Sequence, residues 1–134
     1  MIEENKQPTS NEEEHLKQNR EAQRAARAKR VEESRALLAK LSEEYPDIFP
    51  HPKDGRPVVL AIGLHKELVP IVQEWGFSGA TLRSALAWYT KQLRYQRALV
   101  HAKYRTNLDG SQAEEILDEH REVAKAAIEK IEQW

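Results

Sequence analysis

The sequence has no cysteine, and this absence excludes disulfide bonds, thiolate metal ligands and a thiol nucleophile. No apolar run comes near the roughly 18 residues that a membrane-crossing helix needs. Residues 1–14 (MIEENKQPTSNEEE) are polar and acidic, and they do not form a signal-peptide pattern. Together these absences predict a cytoplasmic protein with no membrane partner.

The residue groupings that usually carry out catalysis are missing as well. The five histidines are scattered without an HExxH-like pair, and there is no glycine-rich phosphate loop and no serine in a nucleophile elbow. The carboxylates between Glu114 and Glu119 are dense, but such runs usually form a solvated helix face. The sequence therefore predicts a protein that is not an enzyme, with no metal, no cofactor and no small-molecule substrate.

What the sequence does contain is charge arranged in blocks. The whole chain has a formal charge of −1, yet residues 51–105 hold nine Lys/Arg against three Asp/Glu, a net +6, with aromatic residues interleaved. Residues 17–35 carry +4, whereas residues 1–16 and residues 114–132 carry −4 each. A localised basic segment indicates a polyanionic partner, and the interleaved aromatics favour RNA.

The N-terminal third divides by composition. Residues 1–14 are acidic and poor in apolar side chains, which predicts disorder. Residues 15–44 contain no Gly or Pro, which predicts a helix that ends before Pro46. The first half of this helix lacks an apolar stripe, so we expect a charged arm at 1–33 and a folded domain at 34–134. The second half offers a packing face made of Val31, Leu37, Leu38, Leu41 and Tyr45.

The middle of the chain predicts an extended segment followed by two helices. Residues 58–62 (VVLAI) favour a short buried strand or extended segment. Residues 64–75 predict a helix that ends at Gly76, and Pro70 is tolerated in its first turn if the helix starts near Lys66–Glu67. Ser78 is a suitable N-cap for the next helix. The apolar positions of that helix are Leu82, Leu86, Tyr89 and Leu93.

The C-terminal part predicts a hairpin and a last helix. Residues 104–108 favour a strand, and Asp109-Gly110 is a hairpin turn signal in which both residues are expected to adopt a positive φ. A returning strand is expected at 113–116 and a helix at 118–132. We expect that helix to bury Val123, Ala127, Ile128 and Ile131. The whole pattern predicts a predominantly helical α+β domain.

One face of the helix after Ser78 has the layout of a single-stranded nucleic-acid site. At 100° per residue, Arg83 and Arg94 lie about 20° apart in azimuth, and so do Trp88 and Tyr95. Cations would meet phosphates and aromatic rings would meet bases. Three other roles remain open, namely a half-buried Tyr95 that hydrogen-bonds the next helix, a Trp88 in the core, and arginines in salt bridges with the acidic last helix.

The start of this helix is a second candidate. Residues 78–81 (SGAT) supply small side chains and unpaired backbone N–H groups at the positive end of the helix dipole. Such a start binds anions and hydroxyls, with Ser78 and Thr81 beside it. Ordinary capping by Ser78 is the alternative.

Four short motifs resemble the FinO/ProQ family of bacterial RNA-binding proteins and RNA chaperones. They cover roughly residues 35–130 in the family's order, and the ordered set is more specific than any one motif. The motifs are YPDIF at 45–49, RP at 56–57 with AIGLHKEL at 61–68, LRSAL with YT at 82–90, and RY at 94–95 with R at 105 and NLDG at 107–110.

The resemblance implies about five helices with short β-hairpins and a basic concave face. It implies binding of structured RNA, typically the base of an intrinsic-terminator hairpin and its 3′ U-rich tail, with the 3′ end between the SGAT helix start and the hairpin. Its contact residues fall on Arg83, Arg94, Tyr95 and Arg105. Small RNAs and mRNA 3′ ends are the implied partners, in post-transcriptional regulation.

The chain also departs from the family pattern. Ala61, Gly79, Ala87 and Val100 stand where the family often has a basic residue. We expect other side chains to take over some of these phosphate contacts and to leave a different footprint on the RNA duplex. The further candidates for the RNA surface are Tyr89, Lys66, Lys91, Arg97 and Lys103.

Two other classes of function stay open at this point. Residues 68–93 also scan as a helix–turn–helix, which would make the protein a DNA-binding protein. Against this, the would-be recognition helix begins with Gly79, Ala80 and Thr81, which are poor readers of the major groove. No dimer element is evident, so we expect a monomer. The third class is a protein–protein adaptor that uses the helical arm.

Overall fold

The computed structural model describes residues 10–133, which form five helices and one β-hairpin. The described part divides between Glu32 and Glu33 into two units, and the second unit contains the core. None of the described helices is both long and apolar enough to cross a membrane. In chain order the elements are α1 Ser10–Glu44, α2 Leu64–Glu74, α3 Gly79–Thr90, α4 Leu93–His101, β1 Tyr104–Thr106, β2 Gln112–Glu115 and α5 Asp118–Glu132.

The first helix begins earlier than its composition predicts. The expected disorder of residues 1–14 is wrong from Ser10 onward, since α1 starts there, and residues 1–9 lie outside the described part. Glu12 and Glu13 occupy the first turn, where acidic side chains are favourable to the helix dipole. Residues 10–32 are solvent-exposed, in keeping with the missing apolar stripe.

The packing face of α1 is shorter than predicted. Leu37 and Leu41 are fully buried, but Val31 is 47% exposed and does not belong to the core. The helix ends at Glu44, before Pro46, as predicted. The buried cluster then draws on every later helix except α5, and it consists of Leu37, Leu41, Ile48, Phe49, Val59, Leu60, Leu64, Leu68, Val72, Leu82, Ala85, Tyr89, Tyr95 and Ile116.

Helix α2 contains a proline in its interior. Because α2 starts at Leu64, Pro70 lies in its second turn, and the prediction of a first-turn proline is wrong. Pro70 has no N–H group to donate to the carbonyl of Lys66, so this helix bond is missing. The end is as predicted: Gly76 has φ 93°, Gly76 N–H donates to Gln73 O (3.0 Å) and Phe77 N–H donates to Val72 O (2.9 Å). This pair of bonds is a Schellman motif.

The helix expected to run on from Ser78 is broken in two. It stops at Thr90 and resumes at Leu93, with Gln92 in an extended conformation (ψ 145°). The Gln96 side chain donates to Thr90 O and so binds the free end of α3. The common helix face of Arg83 and Arg94 does not exist, and the azimuth argument that joined them is wrong. No Gly or Pro lies at the break, so the sequence carried no ordinary signal for it.

The hairpin uses a different turn from the one predicted. Gly110 N–H donates to Asn107 O (2.9 Å), Asn107 N–H donates to Ser111 O (2.8 Å), and only Gly110 has a positive φ (88°). This is a three-residue loop in which a type I turn is followed by a glycine bulge, so the expected positive φ at Asp109 is wrong. Asp109 instead accepts from Ser111 N–H (2.9 Å).

The segment before α2 lies beside this hairpin without becoming a strand of its sheet. Leu60 and Thr106 form an isolated parallel bridge, in which Thr106 N–H donates to Val59 O (2.7 Å) and Ala61 N–H donates to Thr106 O (2.9 Å). Within the described residues the sheet has two antiparallel strands, β1 and β2. The extended interpretation is confirmed around Leu60, whereas Ile62 lies in the turn before α2 and is 66% exposed, so its predicted burial is wrong.

Helix α5 has the predicted bounds but a different buried face. It packs against α4 and buries Ala124. Ala127 and Ile128 are partly buried, whereas Val123 is 68% exposed and Ile131 is 38% exposed, so their predicted burial is wrong.

Candidate nucleic-acid interface

The start of α3 is capped but keeps two free donors. Ser78 Oγ accepts from Thr81 N–H (3.1 Å) and lies 2.9 Å from Thr81 Oγ1, which in turn is 3.4 Å from Glu33 Oε2. The N–H groups of Gly79 and Ala80 have no hydrogen-bond partner among residues 10–133. The capping role of Ser78 is thus confirmed, and the binding of an anion or hydroxyl at the two unpaired amides stays a prediction.

Three cations of the predicted RNA surface are free. Lys66 on α2, Arg83 on α3 and Lys91 just after α3 are exposed, and none has a hydrogen bond or ion pair within the described part of the chain. Lys103 is also exposed, and its ammonium lies 5.5 Å from the centroid of the Tyr104 ring. Free cations can exchange small counterions for phosphates without first breaking a protein contact.

The two arginines of α4 are bound to the protein. Arg94 donates to the carbonyls of Pro50 (3.3 Å) and Gly55 (3.4 Å) and so holds the loop before residue 58. Arg97 forms an exposed ion pair with Glu132 of α5 (3.2 Å). The alternative in which Arg83 and Arg94 pair with the acidic last helix is wrong for both, because Arg97 is the α4 arginine that does so.

Tyr95 and Arg105 converge on one residue, Leu60. Tyr95 is buried, and its hydroxyl accepts from Leu60 N–H (3.1 Å), while Arg105 Nη1 donates to Leu60 O (3.0 Å). Two side chains that the resemblance assigns to RNA therefore satisfy both backbone polar groups of Leu60. The expected partner of Tyr95, a neighbouring helix, is wrong, and a buried ring cannot offer a free face to a base.

This arrangement also includes His120 and Glu114, two residues that the sequence did not indicate as functional. Arg105 Nη2 lies 3.2 Å from His120 Nδ1, and Arg105 Nε lies 4.0 Å from Glu114 Oε1. Glu114 Oε1 also accepts from Ile62 N–H (2.9 Å). Both residues lie far from Leu60 along the chain, so no local sequence pattern could predict that they would lie near it. We call Leu60, Tyr95, Arg105, Glu114 and His120 the Leu60 clamp.

A row of three aromatic rings runs from the clamp into the core. The Tyr95 and Tyr89 rings meet edge to face with centroids 5.7 Å apart, and Tyr89 meets Phe49 in the same way at 5.3 Å. Burial raises the pKa of Tyr95, and burial raises the pKa of Tyr89 to about 12 despite the nearby Arg94. The Tyr89 hydroxyl is buried and has no hydrogen-bond partner among residues 10–133.

The predicted residues fall into several groups that are not joined to one another by side-chain hydrogen bonds or ion pairs of the described residues. No hydrogen bond or ion pair among residues 10–133 connects Ser78 and Thr81 with Arg105. The structure instead groups the candidates at the α3 start, at the Leu60 clamp and along α4, with Lys66 on α2. Trp88, which one alternative placed in the core, is 56% exposed.

The described residues form a small, mainly helical domain with one hairpin and several free basic side chains. These features define a class of protein that is suited to binding a polyanionic partner. A sequence model of the ProQ/FINO family matches residues 31–134. The chain belongs to the ProQ/FINO family, and the resemblance drawn from its motifs is confirmed.

Similar proteins agree with this assignment. The chain is 31% identical over 102 residues to an RNA chaperone ProQ from Idiomarina loihiensis, covering 75% of this chain and 48% of that protein. It is 35% identical over 98 residues to an RNA chaperone ProQ from Pseudoalteromonas atlantica, covering 72% and 44%. The chain thus spans about half the length of these curated relatives.

A solved structure shows the same fold. The crystal structure of a FinO-like RNA chaperone from Neisseria meningitidis matches with a TM-score of 0.61 and 21% identity, covering 71% of this chain and 93% of that one. At this identity the likeness establishes the fold. The five helices and the hairpin are therefore an arrangement that a known FinO-like domain shares.

Proposed function

We propose that this protein binds structured RNA and acts as an RNA chaperone without catalysing a reaction. The observation that carries the proposal is the set of free cations Lys66, Arg83 and Lys91 on a domain of this family. The matched relatives are named RNA chaperones, which supports RNA as the polyanion. Small RNAs and mRNA 3′ ends in the cytoplasm are the proposed partners of a monomeric protein.

We further propose that the RNA is held at the base of a terminator hairpin and at its 3′ U-rich tail. Arg83 binds phosphates, and the free amides of Gly79 and Ala80 beside Ser78 and Thr81 receive the terminal hydroxyl. Lys66, Lys91 and Lys103 contact the backbone around this point, and Arg97 joins them by exchanging Glu132 for phosphate. Tyr89, Tyr95 and Arg94 act from inside the domain, since their rings or guanidinium are already engaged.

The role of Arg105 follows from the same contacts. Its guanidinium holds Leu60, so its first contribution is to fix residues 60–62 beside the hairpin. RNA contact through its remaining edge comes second. This division predicts that loss of Arg105 changes both folding stability and affinity, whereas loss of Arg83 changes affinity alone.

A binding titration with one terminator-type hairpin tests the proposal. The hairpin carries a short 3′ U tail that ends in a hydroxyl or in a phosphate, and the same sequence is run as DNA. We expect tight binding of the RNA with a free 3′ hydroxyl and weaker binding of the other two. Equal affinity for all three would contradict a 3′-end site and would favour a generic basic surface or the DNA-binding alternative.

The salt dependence supplies a second test. If about four phosphates on a single strand are engaged, the slope of log K against log salt is expected near −3. A slope near zero would contradict the electrostatic basis of the proposal and leave the adaptor alternative. Deleting residues 1–33 tests whether the basic arm adds non-specific RNA affinity, which is expected to appear as a smaller slope at low salt.

A further inference from the structure

An apolar groove lies beside α3, away from the helix start. It is a depression of about 210 Å³ between the end of α1, the loop at 49–52 and the end of α3. Its lining includes Leu38, Phe49, Pro52 and Trp88. An engineered cavity of about 150 Å³ holds a benzene molecule, so this groove has room for one six-membered ring with its substituents.

The groove has one ring face and one polar group available. Trp88 lines it and is 56% exposed, so the indole is open to a stacking partner. Tyr89 also lines it, is only 7% exposed, and its hydroxyl has no partner. A buried hydroxyl without a hydrogen bond is costly, and a small movement that lets an acceptor reach it would remove that cost. Because burial raises the pKa of Tyr89 to about 12, the hydroxyl is a donor at neutral pH.

The surroundings of the groove are basic. Arg94 and Pro52 line it and also line a second depression of about 630 Å³. The ionisable side chains lining that second depression are Arg56, Arg94, Arg97 and His101, and no carboxylate lines it. Arg56 is exposed and has no hydrogen bond or ion pair within residues 10–133. An apolar, ring-sized groove therefore opens onto a cationic one.

We propose that the groove at Trp88 is a second RNA-binding site, which takes one unpaired nucleobase stacked on Trp88 while a flanking phosphate lies along Arg56. A pyrimidine is the smaller of the two base types, and its carbonyl oxygens can accept from the Tyr89 hydroxyl only after a movement that exposes this buried group. This proposal rests on the RNA binding proposed above, but it uses a different face from the α3 start.

The charge of the two depressions favours a nucleotide over a second copy of the chain as the ligand of the groove. An apolar contact between two copies would bring Arg56, Arg94 and Arg97 of each into a shared neighbourhood without a carboxylate in either depression. Nucleotides supply what both depressions lack, namely a flat apolar ring joined to an anionic phosphate. The combination of an aromatic face with a cationic groove is the usual arrangement for single strands.

The test compares three variants of the full chain. Trp88→Ala removes the stacking face, Trp88→Phe keeps an aromatic ring, and Val123→Ala truncates an exposed apolar side chain on α5 that lines neither depression. The probe is a hairpin RNA with single-stranded pyrimidines on both sides of the stem. We expect roughly 5- to 150-fold weaker binding by Trp88→Ala and little change for the other two.

Abasic nucleotides identify the base. The same RNA is prepared with one unpaired base removed at a time, and each is titrated with wild type and with Trp88→Ala. At the position that enters the groove, the abasic RNA is expected to bind both proteins equally. 4-Thiouridine at that position is expected to crosslink at or next to Trp88, as mapped by mass spectrometry.

Several results would overturn the proposal. The first is an RNA affinity of Trp88→Ala that equals that of wild type. The second is a loss of affinity that is the same for every abasic RNA. The third is a concentration-dependent dimer of wild type that Trp88→Ala abolishes. The proposed function is judged separately, by the preference of wild type for a 3′ hydroxyl. If that preference persists in Trp88→Ala with no loss of affinity, only the second site fails; if wild type binds no RNA, both fail.

Discussion

Two tyrosines in contact have opposite surroundings. Tyr95 and Tyr89 are both buried and their rings meet edge to face, yet the Tyr95 hydroxyl is bound to Leu60 and the Tyr89 hydroxyl has no partner. The Leu60 clamp on one side is held together by protein contacts, although the buried Arg105 Nε has no hydrogen-bond partner among residues 10–133. The groove at Trp88 on the other side is lined by the exposed Trp88 ring, by Tyr89 and by Arg94.

This difference separates residues that position the fold from residues available to a ligand. In the Leu60 clamp, Arg105 bonds to Leu60 and neighbours His120 and Glu114, so any RNA must compete with contacts already made. At the α3 start and along the cationic depression, Arg83 and Arg56 have no such competition. A substitution in the Leu60 clamp can weaken RNA binding by disturbing the fold, whereas a substitution at Arg83 or Arg56 removes a contact available to RNA. The free energy of unfolding must therefore be measured together with RNA affinity.

The largest effect is expected at Tyr95. Tyr95→Ala removes a buried ring and leaves Leu60 N–H unpaired, and it is expected to lower the free energy of unfolding by about 3–5 kcal/mol. Tyr95→Phe keeps the ring and loses only the hydrogen bond, at about 1–3 kcal/mol. Urea unfolding of both variants measures the difference. A fully stable Tyr95→Ala that loses only RNA affinity would show that the ring serves the ligand and not the clamp.

An alkaline transition is expected from Tyr89. Burial raises its pKa from the ordinary value of 10.0 to about 12, so the unfolded chain loses this proton first and stability falls as pH rises from about 10 to 12. At about 1.4 kcal/mol per unit, the loss reaches about 3 kcal/mol. Wild type and Tyr89→Phe are compared by urea unfolding at several pH values.

The same variant has a clear expectation at neutral pH. Tyr89→Phe removes a hydroxyl that has no partner, so stability is expected to stay equal or to rise. The contrast with Tyr95→Phe is then the direct measure of how the two sides differ. Parallel alkaline curves for wild type and Tyr89→Phe would contradict the raised pKa as a cause of the transition.

Most of the fold was predictable because its signals are local. Ser78 as an N-cap, Gly76 as a helix end and the bounds of α5 follow from side-chain and backbone chemistry within a few residues. The break between α3 and α4 was not predictable in this way. Gln92 is a residue that helices tolerate, and the break is stabilised by contacts such as Gln96 to Thr90 that exist only after folding.

The sequence predicted which types of residues belong to the candidate site better than it predicted how these residues are arranged in space. Arg83 and Lys66 are exposed cations, as expected from their place in the basic segment 51–105. Tyr95 and Arg105 are instead engaged with Leu60, which lies 35 and 45 residues away along the chain. The helical or strand spacing of residues in a sequence cannot predict such a long-range contact. The role of these two residues in RNA binding stays a prediction, whereas their structural role is visible.

A smaller loss of stability is expected at Arg105. Arg105→Ala leaves Leu60 O without its charged donor and is expected to cost about 2 kcal/mol. Leu60 O belongs to a buried residue, so water cannot readily replace the guanidinium. His120→Ala is the matched variant, because it removes one neighbour of Arg105 and leaves the bond to Leu60. A loss for His120→Ala as large as that for Arg105→Ala would mean that His120, and not Leu60, anchors the guanidinium.

The smallest effect on stability is expected at Arg83, where the effect on binding is expected to be clear. Arg83 is exposed and has no partner within the described part of the chain, so Arg83→Ala is expected to change the free energy of unfolding by less than about 0.5 kcal/mol. Loss of a charge-assisted phosphate contact is expected to cost about 1–3 kcal/mol of RNA affinity. Arg83→Lys keeps the charge and is expected to recover part of it. Unchanged affinity in Arg83→Ala, with the fold intact, would move the RNA away from the α3 start and towards the other cations.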